Sequence, residues 1–185
     1  MISTTPQTFI DIFNSNPENY NGIVIKKIII PIIQRDYAQG RENEAVNRVR
    51  SRFLNALREA LVDNNPITLD FVYGEIEEDG SLIPLDGQQR LTTLFLLHWY
   101  ISKHEGIENE KCLFLKNFSY DTRYSAREFC SLLASYSPDF NKDKLALDIQ
   151  DQYWFPMNWI NDPTIASMLV MIDAIHTEFR DTSGM

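Results

Sequence analysis

The segment from Asp86 to Arg90, Asp-Gly-Gln-Gln-Arg, lies between an apolar run, Leu82 to Leu85, and a strongly apolar stretch, Leu91 to Ile101. The first run is typical of a strand and the second of a buried helix. A helix N-terminus offers peptide N–H groups and roughly half a positive charge, so it binds anions readily. Glycine lets a ligand approach the backbone, and arginine forms bidentate bonds with phosphate. The pattern predicts a phosphate or nucleotide site at a strand-to-helix turn.

Asp86 is the member of this motif that phosphate would repel. A carboxylate beside phosphates needs a divalent cation between them, so Asp86 predicts Mg²⁺ coordination or a general-base role. Gln88 and Gln89 have amides that can orient a water molecule or bind a base or sugar edge. The alternative is structural, because Asp86 as N-cap and Gln89 at the third helical position would form a capping-box-like pair. Local chemistry alone favours the structural alternative without excluding the other.

A second polar cluster, Gln34 to Tyr37, follows directly on the β-branched run Ile28 to Ile33. We expect that run to form a strand, and Pro31 within it indicates an edge position. Ligand sites of α/β sheets lie where strands leave the sheet. The cluster therefore predicts further ligand-binding side chains, although a surface salt bridge at Arg35 and a rim aromatic at Tyr37 explain it equally well.

Helix signals recur along the rest of the chain. Thr5-Pro6 is typical of a helix start, and the apolar spacing from Arg41 to Val62 predicts a long amphipathic helix. Ser125 to Glu128 has capping-box spacing. Asp162-Pro163 predicts a helix with an apolar stripe that reaches Phe179.

A β-hairpin is predicted where Phe71 to Tyr73 and Leu82 to Leu85 flank an Asp-Gly turn. Strands and helices together predict an α+β fold with a small mixed sheet and flanking helices. We expect residues 1–104 to form the nucleotide-binding core. Residues 105–185 are then a mainly helical extension, truncated before the rest of the protein.

Composition excludes several classes of protein. The chain has 185 residues, 44% hydrophobic and 23% charged, as expected of a folded globular domain. A net charge of −9 argues against a broad DNA-binding surface. The two cysteines and three histidines have no zinc-ligand spacing, and we expect the histidines on apolar helices to be packed residues. With no secretory signal or membrane span, a cytoplasmic protein is expected.

Ile30 to Tyr37, followed by Leu85 to Thr93, resembles the N-terminal domain of GmrSD-type restriction enzymes. The resemblance implies a ParB/sulfiredoxin-like fold and a role in bacterial defence against phage, including restriction of modified DNA. In that family the Asp-Gly-Gln-Gln-Arg motif is associated with nucleotide binding and hydrolysis.

Carried over by position, the resemblance implies a site for Mg²⁺ with an NTP, either GTP or ATP. Its catalytic residues are Asp86, Gln88 and Gln89, and Asp86 is also the metal ligand. Its nucleotide-binding residues are Gly87, Arg90, Gln34, Arg35, Tyr37 and Arg123. Nucleotide state would then regulate a nuclease domain or subunit outside this chain, and DNA would be contacted only indirectly.

The chain departs from the family where Ala38-Gln39-Gly40 replaces an aromatic residue. Two alternatives also stay open. One is a DNA-binding or nuclease domain in which Asp70, Glu75 and Glu77 hold a metal. The other is a non-catalytic interaction fragment that docks or self-associates through the edge strand near Pro31 or the helix from Thr164 to Phe179.

Overall fold

Four short strands form one mixed sheet in the computed structural model, which describes residues 6–14, 22–31, 36–121 and 124–182. The strands are β1 (Lys27–Ile30), β2 (Tyr73–Ile76), β3 (Ser81–Asp86) and β4 (Phe118–Tyr120), in the order β2-β3-β1-β4. β1 is parallel to both β3 and β4, whereas β2 and β3 form the predicted antiparallel hairpin. Its first strand was predicted at Phe71 to Tyr73 but lies at Tyr73–Ile76, because the residues that pair with β3 begin only at Tyr73. The predicted α+β class and small mixed sheet are confirmed.

β1 lies inside the sheet, which corrects the edge position predicted from Pro31. The proline follows the last residue of the strand, so its missing N–H removes no hydrogen bond from the ladder. Ile28 is fully buried and is in register with Leu82 on one side and Phe118 on the other. The docking surface predicted for an edge strand here is therefore wrong.

Helices cover the sheet. They are α1 (Phe9–Phe13), α2 (Glu44–Val62), α3 (Gln88–His104), α4 (Tyr124–Ser135), α5 (Leu145–Gln150) and α6 (Pro163–Phe179), with 3₁₀ helices at Asn109–Asn117 and Met157–Asn161. α3 is buried on several sides, and Leu91, Phe95 and Trp99 have no exposed surface. It packs against α1, α6 and the first 3₁₀ helix, which explains why its sequence has no polar face.

Two predicted helix starts differ from the structure. α1 begins at Phe9, and its cap is Thr8, which forms a capping box with Asp11; Thr5 lies outside the described residues. Ser125 lies within α4 and does not cap it, because its hydroxyl donates to Asp162 at 2.6 Å. The spacing of a capping box alone does not reveal whether the side chain has a better partner elsewhere.

The predicted start of α6 is confirmed, because Oδ1 of Asp162 accepts a hydrogen bond from Thr164 N at 2.8 Å. The apolar stripe of α6 is buried within this chain, against α2, α3, α4 and α5. The prediction that this stripe is a docking surface is therefore wrong. A single hydrophobic core contains side chains from Phe9 to Phe179.

β4 lies beyond residue 104, in the region predicted as a helical extension, yet it pairs with β1 in the same sheet. The division at residue 104 and the ParB/sulfiredoxin-like assignment stay predictions. Within the described part of the chain, no helix combines the length and apolar character needed to span a bilayer.

Candidate functional site

The motif lies at the carboxyl edge of the sheet, at the junction of β3 and α3. β3 ends at Asp86, Gly87 is the N-cap in a left-handed conformation (φ 92°, ψ 1°), and α3 begins at Gln88. The capping box proposed for Asp86 and Gln89 is wrong, since Asp86 precedes the cap. Among the described residues no side chain caps α3. The strand-to-helix turn itself is as predicted.

Gly87 is required at this turn for two reasons. Its positive φ is strained for any residue with a side chain. A Cβ at this position would also lie 2.9 Å from Cγ2 and 3.2 Å from Cα of Val72. The glycine therefore lets the turn pack against the segment that leads into β2.

The start of α3 has the geometry of an anion site. Its first helical hydrogen bond runs from Leu91 N to Gly87 O, at 2.9 Å. The peptide N–H groups of the preceding turn therefore point out of the helix end, where the helix dipole is positive. This arrangement favours a phosphate or a carboxylate in front of the helix.

Arg90 is held by acceptors on the segment before β2. Its Nη2 donates to Phe71 O at 2.8 Å, and its Nη1 lies 3.9 Å from Oδ2 of Asp70. The buried Nε atom has no hydrogen-bond partner among the described residues. About a quarter of the Arg90 side chain is exposed.

Asp86 pairs with Arg90 across the first turn of α3, with Oδ2 3.5 Å from Nη2. Its carboxylate is largely exposed. The ion pair offsets the negative charge that made this residue unfavourable beside phosphate. In the described ranges no group of three or more histidine, cysteine or acidic residues could hold a metal. The metal-binding trio Asp70, Glu75 and Glu77 of the nuclease alternative is therefore not assembled.

Gln89 joins the two polar clusters. Its Oε1 accepts from Ala38 N at 2.9 Å, and its Nε2 donates to Asp36 O at 3.1 Å. The intervening Tyr37 is buried, not a rim aromatic, and its hydroxyl lies 2.8 Å from Oγ1 of Thr93. Burial raises the pKa of Tyr37 well above its usual value, so the hydroxyl is neutral. The segment 36–38, which follows β1, therefore packs against the first turn of α3.

Sequence reasoning assigned no role to Thr92 and Thr93. Oγ1 of Thr93 donates to Oε1 of Gln39 at 2.5 Å and also lies against Tyr37. Oγ1 of Thr92 lies 2.8 Å from the hydroxyl of Tyr120, which is buried at the end of β4. Two adjacent threonines in an otherwise apolar helix were the available signal, because buried hydroxyls need partners.

An open groove of about 730 Å³ runs between the start of α3 and α2. It is lined by Ala38, Gln39, Ala45, Val46, Val49, Leu85, Asp86, Gly87, Gln88, Gln89 and Arg90. The lining thus has three parts: apolar side chains from α2 and the end of β3, the segment after β1 with Ala38 and Gln39, and the whole motif. A groove of this size is in the range of small-molecule sites.

The remaining predicted site residues lie outside this groove or outside the described residues. Tyr37 is behind the groove wall, with Ala38 and Gln39 in front of it. Gln34, Arg35 and Arg123 fall in segments that the structure does not describe.

The histidines on the apolar helices are packed residues, as predicted. His98 packs against Phe9, with ring centroids 4.9 Å apart, and its burial lowers its pKa. His176 is buried between the hydroxyl of Tyr100, at 3.0 Å, and Lys142 O, at 3.0 Å. Both cysteines are free and buried.

The family model for the GmrSD restriction endonuclease, N-terminal domain, matches residues 10–182. The chain belongs to this family. The match spans both polar clusters and confirms the resemblance seen at Ile30 to Tyr37 and Leu85 to Thr93. Membership in the GmrSD family identifies the domain as a component of a restriction system, a form of phage defence. No curated protein and no solved structure matches the chain.

Proposed function

We propose that this domain binds a nucleoside triphosphate with Mg²⁺ in the groove between α2 and α3, and hydrolyses it. In this proposal it is the cytoplasmic regulatory domain of a bacterial restriction system. The observation that carries the proposal is the position of the motif: all five residues from Asp86 to Arg90 line one groove, at a helix start that no side chain of the described residues caps.

In this proposal the phosphates bind at the start of α3. The N–H groups of its first turn and the helix dipole attract the negative charge. Arg90 supplies the cation from the side, and its weakest contact, the 3.9 Å approach to Asp70, is the one that a phosphate oxygen would replace. The proposal thus gives Gly87 and Arg90 the phosphate-binding roles expected from the motif.

In this proposal the nucleoside lies along α2. Val46, Val49 and Leu85 form an apolar wall that can cover a base or the carbon face of a ribose. Val49 is more than half exposed, at 58%, in the part of the chain that the structure describes, so its side chain is available to a ligand. A bound nucleoside would bury this surface.

A magnesium ion fits this site only as an ion shared with the phosphates. Asp86 offers one exposed carboxylate, and Mg²⁺ is commonly held by one or two carboxylates, phosphate oxygens and waters. Bound there, the ion would neutralise phosphate charge. Asp86 and Gln88 are the residues proposed to activate and orient the attacking water.

Regulation is proposed to act on a nuclease domain or subunit outside this chain. The net charge of −9 does not favour direct binding of DNA by the domain itself. The nuclease would instead respond to nucleotide bound at the start of α3, and this domain would contact DNA only indirectly.

The test is thermal unfolding with Mg²⁺ and GTP, ATP or no nucleotide. Ligand at a hundred times its Kd stabilises a protein by about 2.7 kcal/mol, which corresponds to roughly 5–10 °C for a chain of this size. Val49→Glu puts a negative charge into the groove and should abolish the shift. Val62→Glu, also on the exposed part of α2 but outside the groove, is the matched control. Absence of a shift with every nucleotide would refute the proposal.

A further inference from the structure

Gln89 was expected to act on the ligand, but both ends of its amide are engaged with the protein. Its oxygen accepts from Ala38 N at 2.9 Å, and its nitrogen donates to Asp36 O at 3.1 Å. These two backbone groups flank Tyr37, as the partners of a neighbouring strand would. The amide therefore replaces a peptide group in pairing with the segment 36–38.

One helical turn further along α3, Thr93 binds two side chains of the same segment. Thr93 follows Gln89 by four positions and thus lies on the same face of the helix. Its hydroxyl contacts Tyr37 OH at 2.8 Å and Oε1 of Gln39 at 2.5 Å. Gln89 and Thr93 together fix the backbone and the side chains of one short segment.

Two other helices close around this segment. Nη1 of Arg50, on α2, donates to Gln39 O at 2.8 Å. Gly40 lies so close to α6 that an added Cβ would overlap the carbonyl of Ser167. Ala38 and Gln39, which are partly exposed, then line the groove. A displacement of the segment would therefore change the lining of the groove.

We propose that Gln89 is a positioning residue, which holds segment 36–39 as a wall of the groove, and that it is not a catalytic residue. The bonds to Asp36 and Ala38 use one N–H and one lone pair of the amide and fix its orientation, so it cannot turn toward a water in the groove without losing both. The prediction for KM and kcat rests on the nucleotide hydrolysis proposed above. The prediction for amide hydrogen exchange in this segment does not depend on it.

The first measurement is amide hydrogen exchange without nucleotide, on the full chain. Gln89→Met keeps the length and helix propensity of the side chain but removes both hydrogen bonds. Exchange in the peptide covering residues 36–40 should be at least tenfold faster, with β3 and α3 unchanged. Gln152→Met, which removes a side-chain bond to Asp148 O outside the groove, is the matched control. Unchanged exchange in 36–40 would overturn the proposal.

The second measurement separates KM from kcat. A positioning role predicts that Gln89→Met raises KM for the nucleotide tenfold or more, with kcat within about threefold of the wild type. A hundredfold loss of kcat at unchanged KM would overturn the proposal. If the wild type hydrolyses no nucleotide, the proposed function fails, and the exchange measurement alone decides the role of Gln89.

A second variant keeps the test decisive if Gln89→Met does not fold. Gln89→Glu retains an acceptor for Ala38 N but cannot donate to Asp36 O when ionised. Its exchange in residues 36–40 should lie between those of the wild type and a fully released segment. Wild-type exchange and KM in Gln89→Glu would overturn the proposal.

Discussion

Arg90 reaches back one turn to Asp86, and the two residues form an ion pair with 3.5 Å between Nη2 and Oδ2. The only arginine of the motif thus neutralises its only carboxylate. Because Asp86 is largely exposed, the pair contributes little to stability, on the order of 1 kcal/mol or less. The pair matters because it sets the net charge that a ligand meets at the start of α3.

Asp86→Asn should separate binding from hydrolysis. Removing the carboxylate frees Arg90 and lowers repulsion, so nucleotide binding in EDTA should strengthen by about fivefold, equivalent to roughly 1 kcal/mol. Hydrolysis with Mg²⁺ should fall about 100-fold if Asp86 assists the water or the ion. Calorimetric titration and phosphate release measure the two effects. Asp70→Asn, at the 3.9 Å contact, is the control, and wild-type hydrolysis by Asp86→Asn would contradict the catalytic role.

Gly87→Ala should destabilise the fold by about 2–3 kcal/mol, from left-handed strain and from the contact with Val72. Gly106→Ala is the control for strain alone, because its φ is 63° and nothing lies within 4 Å of an added Cβ; its cost should be about 1 kcal/mol. Adding Val72→Ala to Gly87→Ala should recover part of the loss. Urea unfolding measures the free energy of unfolding of all three variants. Equal losses at the two glycines would show that the contact with Val72 adds nothing to the strain.

Thr92→Val should cost about 1–3 kcal/mol, because it leaves the buried hydroxyl of Tyr120 without its partner. Tyr120→Phe should cost less, since Thr92 keeps its bond to Gln88 O at 2.9 Å. In the double variant the two losses should not add, with a coupling of at least about 0.5 kcal/mol. Denaturant unfolding of the four proteins measures this coupling, and strict additivity would show that the two hydroxyls act independently.

Stability should fall as the pH drops below about 6.5, the pKa of histidine in an unfolded chain. Burial lowers the pKa of His98 in the fold, so the unfolded state binds a proton that the folded state does not. The free energy of unfolding then decreases toward acid by at most about 1.4 kcal/mol per pH unit from this residue. His98→Gln should flatten the dependence between pH 7 and 5. An identical slope in both proteins would exclude His98 as its source.

The sequence by itself determined the local elements and the place of the motif. Periodic apolar residues predict α2 and α6, and apolar runs on both sides of an Asp-Gly turn predict the β2–β3 hairpin. The change of pattern at Asp86 places the motif between a strand and a helix. These features are local, since each depends on residues within one or two turns of one another. The family also followed from two short segments.

Only the tertiary structure decided what each side chain contacts. Whether β1 is central or at an edge depends on β4, a strand that pairs with it from far along the chain. Gln89 bonds to a loop that returns from β1, and Arg90 turns toward a segment before β2. The amphipathic pattern of α2 was predicted, but it did not show that Val46 and Val49 line the groove beside the motif. Such contacts join residues that are far apart in the sequence. Local residue patterns do not show which distant side chains the fold brings together.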